Sequence, residues 1–186
     1  MNGGDEASKA KRERLRTLIA ERSLLQNRGF VLASGRASNY FFDMKKTMFD
    51  PEGAALLSDL LFAMIRDDPV GHVGGLETGA IPLIALLCRR SWPEKPLQGF
   101  FVRKEEKGHG TDQRIDGRLT RGVPVILFED VTTTGGSVLQ AAECVRTLDC
   151  PVHKIVSVVD RLEGAAENFA RIGMRFETLF TREDFA

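Results

Sequence analysis

Cysteine is scarce in this chain, and the little there is does not pair. Cys88, Cys144 and Cys150 are odd in number and lack metal-site spacing, which argues against a disulfide framework and a cysteine metal centre. They read as reduced, mostly buried thiols in a reducing compartment. An excess of charge is missing too. Lys and Arg total 26, as do Asp and Glu, so no bulk field draws the chain to nucleic acid or to a membrane surface. No apolar run approaches the length of a membrane span, and the first residues lack the apolar stretch of a signal peptide. Internal repeats and low-complexity segments are absent. What remains is 186 residues, a one-domain length with room for a sizeable core, expected in the cytoplasm.

Periodicity gives alternating elements. Residues 1–7 read as disordered. Lys9 to Asn27 carries Leu15, Leu18, Ile19 and Leu25 at helical spacing and reads as an amphipathic helix ending near Gly29. Phe30 to Leu32 and Tyr40 to Met44 read as short strands around a Ser-Gly-Arg turn. Pro51 opens a helix to about Arg66 behind a cap at Asp50. Val70 to Gly74, Gly99 to Val102, His153 to Val159 and Met174 to Phe180 read as strands, and Ala80 to Arg90 and 162–171 as helices. Strands alternating with helices imply an α/β fold with a mostly parallel sheet flanked by helices.

The densest signal is Val125 to Ser137, V-I-L-F-E-D-V-T-T-T-G-G-S. A continuous apolar run bounded by turn signals is a strand buried on both faces. Glu129 and Asp130 therefore stand at its carboxyl end, where open α/β sheets place ligands. Thr132, Thr133, Thr134 and Ser137 bring hydroxyls. Gly135 and Gly136 let backbone approach a ligand, and the helix that follows, Val138 to Leu148, points its positive end there. The loop suits a phosphate, and the acids suit ribose hydroxyls or a hydrated cation. The Walker loop is excluded, because the loop has no lysine and no G-K-[ST]. A helix-capping turn alone needs neither two acids nor three threonines.

Arg103 to Arg118 is charged, glycine-containing and nearly without apolar residues, and reads as a long exposed loop, a length usually tied to function or disorder. It opens R-K-E-E-K-G-H-G-T-D. Arg103, Lys104, Lys107 and His109 crowd cationic or donor groups into one span, and Gly108 and Gly110 let it move. Alone it would be a solvated charge run. Beside a phosphate-binding motif it suits a pyrophosphate leaving group, whose growing negative charge needs donors.

The thirteen-residue motif resembles the 5-phosphoribosyl-1-pyrophosphate (PRPP) motif of the type I phosphoribosyltransferases. The loop pattern R-K-x-x-K-x-H-G resembles the catalytic loop of the orotate phosphoribosyltransferases. Ser34 to Asp43 (S-G-R-A-S-N-Y-F-F-D) resembles that family's N-terminal segment. Gly74 to Pro82 (G-G-L-E-T-G-A-I-P) resembles its pyrophosphate-binding turn, and Asp160-Arg161-Leu162-Glu163 its base-binding D-R-x-E. The resemblance covers residues 30–163 in family order. It implies a single type I phosphoribosyltransferase domain over 1–186, with a small N-terminal hood to about residue 45 and the core from 46 to 186. It implies Mg²⁺-dependent joining of orotate to PRPP, giving orotidine 5′-monophosphate and pyrophosphate in de novo pyrimidine biosynthesis. Carried over by motif, Glu129 and Asp130 would hold the ribose hydroxyls, with Asp130 near the hydrated metal. Val131, Thr132, Thr133, Thr134, Gly135, Gly136 and Ser137 would cradle the 5′-phosphate. Thr78 and Gly79 would serve PRPP from the turn. Thr133, Arg161, Phe41 and Phe42 would meet the orotate, one of the two phenylalanines doubling as core. Arg103, Lys104, Lys107 and His109 would close over the pyrophosphate from a neighbouring subunit, which implies a homodimer with shared active sites.

Two departures stand out. Many members carry lysine before Ser-Gly, where this chain has Ala33, and lysine in the turn, where it has Gly79. Lys45 or Lys46 is the candidate replacement for one of them. His72 and His153 read as strand-edge residues without visible partners, and Trp92 as part of a connector. The alternatives are a purine phosphoribosyltransferase, against which the basic loop and Arg161 argue, and a PRPP-sensing nucleic-acid regulator, which would need a helix-turn-helix or a basic face.

Overall fold

The computed structural model describes residues 3–31, 37–105 and 114–186. Helix α1 (Gly3–Leu18) runs through a five-residue π turn, Ile19–Ser23, into the antiparallel pair β1 (Leu24–Val31) and β2 (Ala37–Phe42). The short α2 (Lys45–Met48) and then α3 (Pro51–Ile65) lead to β3 (His72–Gly74), α4 (Ala80–Ser91), β4 (Gln98–Val102) and β5 (Ile115–Gly117). Next come β6 (Val125–Thr132), α5 (Gly136–Arg146), β7 (Val152–Asp160), α6 (Ala165–Arg171) and β8 (Phe176–Thr181), with a closing 3-10 turn at Arg182–Phe185. The six-stranded sheet has the order β5-β4-β3-β6-β7-β8, parallel except for the β4–β5 pair. None of the described helices is long and apolar enough to cross a membrane.

The apolar run that opens β6 is explained by its two covered faces. Ile126 and Phe128 pack into a core shared with Leu57 and Leu61 of α3 and Leu83 and Leu87 of α4. Val125 and Leu127 pack into a second core with Val138 and Ala141 of α5 and Phe169 of α6. A strand central to a parallel sheet needs apolar side chains on both faces, each worth about 1.5–3 kcal/mol when buried. Helix α3 starts as its sequence dictates, with the Asp50 carboxylate accepting the Gly53 backbone N–H at 2.9 Å and Pro51 at the first turn. The N-terminal helix is no loose appendage: Leu15 and Ile19 lie in the same core as α3 and α4.

Three sequence expectations need correction. Residues 3–7, expected to be disordered, are helical in α1. Strong helix formers from Glu6 to Lys11 favour it, and Lys11 ties the helix to Asp59 at 2.6 Å. The helix expected to Asn27 ends at the π turn, and Leu24 to Asn27 is strand. There Ser23, fully buried, shares a hydrogen bond with Thr47 Oγ1 (2.7 Å), and its carbonyl accepts the Asp43 N–H (2.8 Å). That contact stops the helix and sets Leu24 opposite Phe42 and Leu25 opposite Phe41. Finally, Ile115 to Gly117, expected within a loop, pairs with β4, Val102 facing Ile115. A three-residue edge strand with one apolar residue has no hydrophobic period to read. The Ala33 position, the Ser34-Gly35-Arg36 turn, Gly108, Gly110, Lys107 and His109 lie outside the described residues.

Candidate active site

The strand order reverses between β3 and β6. From β3 the chain moves outward through β4 and β5, and from β6 the other way through β7 and β8. Ligands of open α/β sheets bind at the carboxyl ends of strands at such a switch point. A cleft of about 360 Å³ opens there.

The β6 strand delivers Glu129 and Asp130 into this cleft, and Val131, Thr133, Gly135, Gly136 and Ser137 continue its wall to the start of α5. The left-handed backbone at Gly135 (φ 84°) turns the chain into the helix, and a Cβ there would stand 2.4 Å from the Phe169 ring. Glycine is therefore needed for both conformation and space. Not every hydroxyl of the loop is turned to the cleft. Thr132 is fully buried and donates to Ser157 Oγ at 2.8 Å, and the Thr134 carbonyl accepts Asn168 Nδ2 at 2.9 Å.

Glu129 stands out electrostatically. Burial, reinforced by the charge of Asp130, pushes its pKa up to about 8, against the pull of the Ser137 and Thr132 hydroxyls. Burial raises the pKa of Asp130 as well, opposed by the Val131 backbone N–H and by the Lys45 charge. Two adjacent carboxyls in a half-enclosed site resist ionising together, and Glu129, raised to about 8, is the one that keeps its proton at neutral pH.

The opposite wall is the turn after β3, with Thr78 and Gly79. A Cβ on Gly79 would stand 2.3 Å from Asp130 Oδ1, so the close approach of turn and acid depends on this glycine. Glu77 in the same turn was not singled out by the sequence reading. Its carboxylate accepts the Lys104 backbone N–H at 2.9 Å and lies 4.0 Å from the Arg103 guanidinium. Lys104 lines the cleft, whereas Arg103 is turned to Asp116, with Nε 2.5 Å from Oδ2. Arg114 closes the root of the loop by donating to the carbonyls of Arg103 and Lys104 (2.9 and 3.1 Å).

The third wall joins the β1–β2 hairpin to the end of β7. Arg161 is only 2% exposed, yet reaches the cleft. Its Nη2 donates to Ser38 Oγ (2.9 Å), its Nε lies 2.9 Å from Glu163 Oε1, and its guanidinium lies over the Tyr40 ring at 4.3 Å. Tyr40, also not singled out from sequence, thus orients the arginine through stacking. Phe41 and Phe42 both border the cleft. Phe41 stacks on Phe30, and Phe42, 4% exposed, is the core member of the two, packed edge-on against Phe185. Lys45, first residue of α2, borders the cleft as well. Away from the cleft, His153 has a partner, Asp68 Oδ1 at 3.1 Å. Asp68 also pairs with the buried Lys154 at 2.8 Å, a long-range contact that local sequence does not reveal.

No family model matches the chain. An orotate phosphoribosyltransferase of Rhodopseudomonas palustris (strain BisB18) is 44% identical over 182 residues, covering 95% of this chain and 96% of that protein. The crystal structure of the Mycobacterium tuberculosis orotate phosphoribosyltransferase in complex with Fe(III) dicitrate superposes with a TM-score of 0.83 at 31% identity, over 95% of this chain and 99% of that one. The same enzyme solved with 5-phospho-alpha-D-ribosyl 1-diphosphate superposes with a TM-score of 0.77 at 26% identity, over 95% and 92% of the two chains. The fold is that of these enzymes, and the chain belongs to the orotate phosphoribosyltransferase family.

Proposed function

We infer that this cleft transfers the 5-phosphoribosyl group from PRPP to orotate, releasing pyrophosphate and giving orotidine 5′-monophosphate. The observation that carries the reading is the meeting, in one cleft at the sheet's switch point, of the Glu129–Asp130 pair, the glycine-rich start of α5 and the buried Arg161. The Val131 to Ser137 wall offers backbone N–H groups, the Thr133 and Ser137 hydroxyls and the positive end of α5 to the 5′-phosphate. Glu129 and Asp130 face the ribose. Arg161, already oriented by Tyr40 and Glu163, suits the planar carboxylate of orotate. Phe41 and Phe42 give the flat ring an apolar border.

The bond between ribose C1 and the diphosphate oxygen breaks, and its electron pair leaves with pyrophosphate. The orotate nitrogen forms the new bond to C1, and its N–H proton is released to water. Positive charge builds on the ring during this exchange, so carboxylates beside it are stabilising, and cations are needed at the leaving anion. Positioning and electrostatics carry the step, with little demand for a strong base. Among the described residues no three His, Cys, Asp or Glu side chains cluster as a metal cage. Mg²⁺ is commonly held by one or two carboxylates together with substrate phosphates and water, and Asp130, beside Glu129, is a donor of that kind. Bound with PRPP, the ion would offset diphosphate charge. Lys107 and His109 of the basic loop would close on the pyrophosphate of a partner subunit in a homodimer, while Lys104 at the loop's root borders its own subunit's cleft.

The test is a spectrophotometric assay of orotate with PRPP and Mg²⁺, run beside adenine, guanine and hypoxanthine. Orotate consumption that stops without Mg²⁺ or PRPP is expected. Turnover of a purine in preference to orotate would overturn the reading, and binding of PRPP without turnover of any base would favour a sensor.

A further inference from the structure

Three cationic side chains border the cleft among the described residues: Lys45, Lys104 and Arg161. Two are accounted for. Arg161 is committed to Ser38, Glu163 and Tyr40, and Lys104 belongs to the root of the basic loop, its backbone held by Glu77. Lys45 has no role yet.

Its position is specific. Lys45 opens α2, directly behind the β2 strand that carries Phe41 and Phe42. Its ammonium lies 3.3 Å from Asp43 Oδ1, and about half of the side chain (52%) is exposed. Its charge also acts on Asp130. Asp130 thus shares the cleft with Lys45 and closely approaches the Gly79 turn. That turn carries no cation at residue 79, where a Cβ would stand 2.3 Å from Asp130 Oδ1 and push the carboxylate aside. The neighbouring Lys46 is exposed and does not border the cleft. A cleft with Glu77, Glu129 and Asp130 on its walls must still accept a polyanion, and a half-exposed lysine beside the ribose-facing acid is placed to offset charge where the diphosphate leaves the ribose.

We propose that Lys45 binds the diphosphate of PRPP, donating from Nζ to the oxygens beside Asp130, with Asp43 holding the ammonium in reach. This rests on the PRPP reading above. Lys45 stays on the departing pyrophosphate, while the 5′-phosphate is held by the Val131 to Ser137 wall.

The experiment compares Lys45→Met, Lys45→Arg and, as a neighbouring control, Lys46→Met. A charge-assisted hydrogen bond is worth about 1.5–3 kcal/mol, so Lys45→Met should raise KM for PRPP and weaken pyrophosphate inhibition by roughly tenfold to a hundredfold. KM for orotate and the affinity for ribose 5-phosphate, a probe of the 5′-phosphate wall alone, should stay within about twofold of wild type, too small a change to carry a bond's worth of free energy. Lys45→Arg should restore most of the loss, and Lys46→Met should match wild type. Unchanged pyrophosphate inhibition, or ribose 5-phosphate and orotate weakened as much as PRPP, would overturn the assignment. Calorimetric titration of wild type and Lys45→Met with PRPP and with pyrophosphate decides the point without turnover. Failure of the wild type to consume orotate would sink the functional reading and leave this comparison standing.

Discussion

The protonation of Glu129 sets a pH dependence that can be worked through. Raising its pKa from 4.5 to about 8, at 1.36 kcal/mol per pH unit, gives a ceiling of about 5 kcal/mol. That is the cost of carrying the ionised carboxylate in the folded protein instead of the unfolded chain. Glu129 opens onto the cleft, where water screens it, so about 1–2 kcal/mol is the expected cost. The sign follows from linkage: a carboxyl with a folded pKa above its unfolded value contributes fully below the unfolded value and loses its contribution as pH rises towards the folded one. The relevant window is therefore about pH 4.5 to 8. Glu129→Gln, which cannot ionise, should match wild type near pH 5. At pH 8.5 it should be more stable by about 1–2 kcal/mol, or roughly 3–6 °C in melting temperature for a chain of this size. Thermal and urea unfolding from pH 5 to 9, without ligands and with EDTA, measures this. Parallel stability curves for the two proteins across that range would refute the account of the buried acid pair.

Three further outcomes follow from named contacts. Gly79→Ala should leave the melting temperature nearly unchanged, yet weaken PRPP binding about tenfold or more, the scale of one misplaced polar contact, because the new Cβ displaces the Asp130 carboxylate; wild-type KM for PRPP would contradict it. Lys154→Met should cost about 3 kcal/mol in urea unfolding by removing the buried ammonium 2.8 Å from both Asp68 and Glu177 and leaving them only His153 and the exposed Arg175, and a loss under about 1 kcal/mol would show the cluster to be incidental. Mixing Lys107→Ala with Asp130→Asn subunits after exchange should restore about a quarter of wild-type activity, since half of randomly exchanged two-fold dimers are mixed and each of those has one intact site; activity that stays at the level of the parents, with exchange confirmed, would place the loop in its own subunit's site.

The β6 strand and the loop after it could be read from thirteen consecutive residues. Their message is local: apolar side chains for two covered faces, acids where the strand ends, and glycine where the backbone must turn left-handed. The alternation of strands and helices, and hence the parallel sheet, was legible for the same reason, since periodicity is a property of neighbours in sequence. What the chain order hides is which distant residues meet. The helix stops at Ser23 because Thr47 and Asp43 hold it there, although the run to Leu25 keeps a helical period. Ile115 to Gly117 becomes a strand because β4 offers it an edge. Arg161 is oriented by Tyr40, more than a hundred residues earlier, and Lys45 and Gly79 come near Asp130 only once β2, β3 and β6 are assembled. Periodicity and turn chemistry are written in adjacent residues, whereas burial, pKa and the pairing of charges depend on what the folded chain brings alongside, which only the tertiary structure decides.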